Sequence, residues 1–142
     1  MKALLDAIVA KCKATSAIAA FSGTGGPFWD IAPEATSEPF MVITQIGGTE
    51  NKLGFASGAY VEPVQIQFAV YAVGAAVAAG HAETLCNTFD ALTSLTVTGG
   101  TSRRPLRRQP VRLAADEVDG NGKRIYQASV VYDFCVQRTL GV

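Results

Sequence analysis

The strictest pattern in the chain lies near its end. Tyr126, Ala128, Val130, Tyr132, Phe134 and Val136 occupy every second position, while Gln127, Ser129, Asp133 and Gln137 share the alternate positions with Val131 and Cys135. A period of two places the first set on one face of a β-strand. At about 3.3 Å per residue that strand approaches roughly 40 Å, and its end is expected to reach beyond its own subunit. A second alternation starts at Val64 and runs through Ile66, Phe68 and Val70 against Gln65, Gln67, Ala69 and Tyr71, until Gly74 stops it. Two shorter runs of aromatic and β-branched residues, "FWDIAP" and "EPFMVITQIGG", predict two further strands around the turn-forming "EATSE".

Helical spacing governs two other stretches. Within residues 3 to 20, Leu4, Leu5, Ile8, Val9 and Cys12 form an apolar stripe with Lys2, Asp6, Lys11 and Lys13 mostly opposite, and "SGTGGP" ends it. In "AAVAAGHAETLCNTFDALTSL" the periodic residues are Val77, His81, Leu85, Phe89 and Leu92, with "TVTGGT" closing the helix. Residues 47 to 60, "GGTENKLGFASGAY", lack periodicity and read as a long mobile connection. Its Gly48, Asn51, Lys52, Gly54, Phe55 and Gly58 are candidates for a loop that becomes ordered on assembly. "DEVDGNGKR" supplies a hairpin turn before the last strand. The expected architecture is a single α+β domain over residues 1–142: an antiparallel or mixed β-sheet with two helices packed on one face.

Composition narrows the function more than the fold. Twelve basic and twelve acidic residues cancel, so no global field draws the chain to nucleic acid. Only 17% of residues are charged and 49% are hydrophobic, which suits a protein that buries apolar surface against copies of itself. "ALLDAIVA" is interrupted by Asp6 and is too short to span a bilayer, so no membrane association is expected and the chain reads as cytoplasmic. Cys12, Cys86 and Cys135 are odd in number and widely spaced, and read as free buried thiols rather than disulfides or zinc ligands.

Catalytic chemistry finds no footing. His81 is the only histidine and sits on the apolar side of its helix, where a structural role is expected. Asp116, Glu117 and Asp119 cluster at a hairpin tip, the usual place for solvated acids. The glycines of "SGTGGP" and "GGTENKLG" match no nucleotide-binding loop, and Trp29 reads as a core or interface anchor. No enzyme activity, cofactor or metal is expected.

The stretch "FWDIAPEATSEPFMVITQIGG" carries more than its composition. An aromatic-Asp segment ending in Ala-Pro, a polar turn, then Pro-aromatic and a β-branched strand resembles the front half of the tail-completion, or tail-terminator, proteins of long-tailed bacteriophages and gene-transfer particles. The order of the remainder agrees: the strand "VQIQFAVYAV", the helix "AAGHAETLCNTFDALTSL" and a closing hairpin ending in "YQASVVYDFCVQR". The resemblance implies a structural virion part, assembled in the host cytoplasm, that forms a homo-oligomeric ring, typically a hexamer, at the head-proximal end of the tail. Its implied partners are itself, the tail tube protein and the head–tail connector proteins.

The remaining feature is "SRRPLRRQPVR", where Arg103, Arg104, Arg107, Arg108 and Arg112 stand without an acidic neighbour. Pro105 and Pro110 each lack a backbone donor, which places the segment at a sheet edge or in an extended connection. Its arginines suit edge protection, contact with a neighbouring subunit's acids or the ring's channel, or DNA contact. The competing functions are therefore a small nucleic-acid-binding module built on residues 103–112, and another head–tail connector or tube protein.

Overall fold

The chain forms, in order, α1 (Lys2–Ala14), α2 (Ser16–Ala19), β1 (Phe28–Trp29), β2 (Phe40–Gly48), β3 (Leu53–Gly54), β4 (Ala59–Val73), α3 (Ala75–Asp90), β5 (Ser94–Val97), β6 (Gly100–Arg103), β7 (Leu106–Arg107), β8 (Arg112–Val118) and β9 (Arg124–Thr139). The computed structural model describes residues 2–33, 36–48, 53–54, 59–118 and 122–139. Its axis is the antiparallel pair β4–β9, matched from Ala59 opposite Thr139 to Val73 opposite Ile125. β2 pairs antiparallel with β4, and β1 lies parallel on the outside of β2. The sheet is therefore mixed and open, and the fold is α+β.

The two alternations explain this layout. Val64, Ile66, Phe68 and Val70 of β4 and Val130, Tyr132, Phe134 and Val136 of β9 are buried in one core together with Met41 and Ile43 of β2. The helices cover that face: Leu4, Ile8 and Cys12 come from α1, Ile18 from α2, and Leu85, Cys86 and Phe89 from α3. Phe68, Phe89, Tyr132 and Phe134 form its aromatic centre, with ring centroids 4.9 Å apart for Phe68–Phe89 and 5.8 Å for Phe89–Tyr132. Ala72, Ala78, Ala82 and Ala128 make a second, small-residue contact that lets the start of α3 approach the β4–β9 pair closely. Gly74 makes the strand-to-helix corner at φ 94, a left-handed value that a side chain would resist.

Several expectations change. The helix expected over 3–20 is two, because the chain leaves helical geometry at Thr15 (φ −94°, ψ 103°), whose hydroxyl donates to the Lys11 carbonyl. Of "FWDIAP" only Phe28 and Trp29 are strand, since Asp30 takes a left-handed φ of 59 and turns the chain away. The buried stripe of α3 is Ala78, Ala82, Leu85, Cys86 and Phe89, so Val77 faces solvent and His81 is half-buried, stacked on Phe21 at 4.6 Å. Residues 94–103 form the hairpin β5–β6 rather than a helix end. At its turn Gly100 is required for space, because a Cβ there would collide with the Gln137 carbonyl of β9.

The connection expected over 47–60 is in part strand. Gly48 pairs with Val64, and Gly54 pairs with Tyr60 across β3–β4. Asn51, Lys52, Phe55 and Gly58 lie outside the described residues. β4 begins at Ala59, not Val64, and its Pro63 lies in the gap between the β4 residues matched by β2 and those matched by β3. β9 does not need a neighbouring subunit to occupy its end, because β4, one residue shorter, pairs with it through Thr139. Among the described residues no helix is long and apolar enough to cross a membrane.

Candidate functional site: the arginine edge

β9 has β4 on one side along its full length, and its other side is taken in turn by β6, β7 and β8. Gly100–Ser102 pair with 138–136, Leu106 and Arg107 with Asp133 and Tyr132, and Arg112–Ala115 with 129–126. Residues 100–118 thus form one broken antiparallel strand, interrupted near Pro105 and Pro110, which supply no backbone donor. Between the two prolines the Arg108 N–H still donates to the Val131 carbonyl at 2.8 Å. The expected edge position is observed, with β5 covering β6 while β7 and β8 have β9 as their sole strand partner among the described residues.

The arginines divide between the two faces of the sheet. Arg104 donates to the Asp90 carbonyl at 2.9 Å and Arg107 to the Asp90 carboxylate at 2.8 Å, at the C-terminal end of α3. An acid at a helix C-terminus opposes the helix dipole, and these two cations compensate it. Tyr132 donates its hydroxyl to the other Asp90 oxygen at 2.7 Å. Burial, and then the bond to Asp90, push the Tyr132 hydroxyl far above its usual range, so it remains a donor. Arg108 pairs with Asp133 at 2.9 Å, and Arg103 reaches Gln137 at 3.4 Å, both on the face of the sheet away from the helices. Arg112 is exposed and makes no ion pair among the described residues.

These pairs position more than they stabilise. Both ion pairs are more than a third exposed, and such pairs contribute roughly 0–1 kcal/mol. Each guanidinium retains donors for a further carboxylate or phosphate. Beside them, Pro63, Gln65, Leu106, Arg108, Asp133 and Cys135 line a hollow of about 320 Å³, and Asp133 Oδ1 is buried with no hydrogen-bond partner among the described residues.

The other chemical candidates stay apart. Cys12, Cys86 and Cys135 are free, and burial pushes the Cys12 thiol up to about 12, which leaves it a neutral core group. Desolvation lowers the His81 pKa, in keeping with its stacked position. Among the described residues no three His, Cys, Asp or Glu side chains converge as a metal site. The sequence did not single out Asp90 or Tyr132, whose partners are 14 to 42 positions away. An acid closing a helix without a basic neighbour in its last turn was the one available signal.

No family model matches the chain, and no curated protein does. A second solved structure superposes with a TM-score of 0.47 and 14% identity over 94% of this chain and 91% of the other. The likeness that describes this fold is to a chain in the virion of a native gene transfer agent particle, at a TM-score of 0.69 and 14% identity, covering 96% of each chain.

Proposed function

We propose that this chain is a structural subunit of a phage-like virion, and specifically a tail terminator: it forms a ring on the head-proximal end of the tail tube, ends tube growth and joins the tail to the head. The observation that carries the virion role is the shared fold over 96% of both chains with a gene transfer agent virion component. The finer assignment is supported by the resemblance of "FWDIAPEATSEPFMVITQIGG" to tail-completion proteins and by the matching order of elements around it. Its partners are further copies of itself, in the hexameric ring that the resemblance implies, together with the tube protein and the connector proteins. A DNA grip is less favoured, because the net charge is zero and offers no wider basic field around the segment.

The test is negative-stain microscopy of the purified protein with and without tail tubes. Annular particles with a central hole, seated at one tube end and limiting tube length, are the expected result. A monomer that ignores tube ends overturns the reading.

A further inference from the structure

We infer that successive copies of this chain dock head to tail through the two opposite margins of the sheet, the β7–β8 margin of one copy lying against the β1–β2 margin of the next. The inference rests on the ring reading, of which it names the contact.

Exposed apolar residues gather at these margins. Leu106 is 63% exposed, and Leu113 and Val118 also face solvent on the β7–β8 side; Ile31 is 79% exposed beside β1, and Ile46 is exposed on β2. Only Val77, among the large hydrophobics exposed in the described residues, lies away from both. The margins also differ in charge. The β7–β8 side carries Arg107, Arg108 and Arg112, with Arg103 and Arg104 just before it; the sequence from Ala91 to Ala115 contains no acid, and the only acids of β8, Asp116 and Glu117, fall at its far end. The β1–β2 side carries Asp30 and Glu38, and the sequence between Lys13 and Lys52 contains no base. Asp30 is exposed, and its left-handed φ of 59 accompanies the turn that brings Ile31 out to solvent.

The two margins stand level. Arg112 is opposite Ser129, Ser129 opposite Ala69, Ala69 opposite Val42, and Val42 opposite Phe28. A neighbour placed alongside therefore brings the arginine segment to the height of Asp30 and Ile31. Guanidinium groups meet carboxylates there, with apolar side chains between them to exclude water. Because the two surfaces differ, the contact is heterologous and repeats from copy to copy, the geometry a ring needs.

Two variants test this. One removes the acidic margin (Asp30→Asn, Ile31→Ser, Glu38→Gln), and the other removes part of the basic margin (Leu106→Ser, Arg112→Ser). The changed side chains are exposed or half-buried, so circular dichroism should show both variants folded. Sedimentation of the wild type over a concentration series should show self-association. Each variant alone should associate at least tenfold more weakly, and an equimolar mixture should give a 1:1 pair that grows no further, joined through the margin each retains. Three results overturn the contact: a wild type that stays monomeric, an acidic-margin variant that still dimerises like the wild type, or variants with unchanged assembly. Wild-type annuli that both variants also form would keep the ring and discard this contact. Open wild-type chains with the capped 1:1 pair would keep the contact and discard the ring.

Discussion

The β4–β9 ladder and the broken edge beside it share strand β9 but are held by different forces. On the β4 side an uninterrupted register runs over fifteen pairs, and its helix-facing side chains are sealed from water under α1, α2 and α3. On the other side the pairing is broken near two prolines, and the arginines around them spend part of their hydrogen-bonding capacity on Asp90, Asp133 and Gln137. Burial of a large aromatic side chain contributes roughly 1.5–3 kcal/mol, whereas an exposed ion pair contributes roughly 0–1. The ladder therefore secures the fold, and the edge is free to carry a surface that can change without unfolding the domain.

The largest test of that contrast is Phe68→Ala, which empties the aromatic centre next to Phe89 and Tyr132. It should cost about 3–5 kcal/mol, read as a lower urea midpoint. A loss below about 1 kcal/mol would mean that the ladder does not dominate stability.

Alkaline pH probes the same core from below α1. Unfolded Cys12 has the ordinary pKa of 9.0, while in the fold burial raises it to about 12. Between these values the unfolded chain releases a proton that the folded chain keeps, so stability falls as pH rises, by about 1.4 kcal/mol per pH unit for this group. Urea midpoints at pH 8 and pH 11 measure the fall. Cys12→Ala should flatten it by this share, and an unchanged slope would remove Cys12 from the account.

Asp90→Ala acts where the two regions meet. It strands the Tyr132 hydroxyl and removes the ion pair with Arg107, at an expected cost of about 1–3 kcal/mol, with Tyr132→Phe costing less. A double-mutant cycle between Asp90→Ala and Tyr132→Phe should show coupling, and additive losses would mean the bond contributes nothing.

The smallest effect on folding is expected at the edge itself. Changing Arg103, Arg104, Arg107 and Arg108 together to Gln should leave a cooperative unfolding transition, at less than about 1 kcal/mol for each ion pair lost. Ring formation or the yield of completed tails should nevertheless drop. Normal assembly with lost DNA retention would instead favour the grip, and lower solubility alone would leave these arginines as guards of the edge.

Alternation and helical spacing determined by themselves that there are two long strands, a helix at each of two places and an α+β sheet covered on one face. Burial imposes those periods directly on neighbouring residues, as Phe68, Phe89 and Tyr132 show. The prolines at 105 and 110 likewise announced an edge, because a missing donor is a local property. Pairing was decided elsewhere. Residues 94–103 became a hairpin because β9 offered a free side to β6, and β4 ran back to Ala59 through Pro63 because β9 and β3 supplied partners there. The same holds for the arginine edge: its charge is written in the sequence, but the acids that meet it, Asp90 and Asp133, are 17 and 25 positions from their arginines. Only folding brings such residues together, since no local spacing encodes a contact made across the sheet.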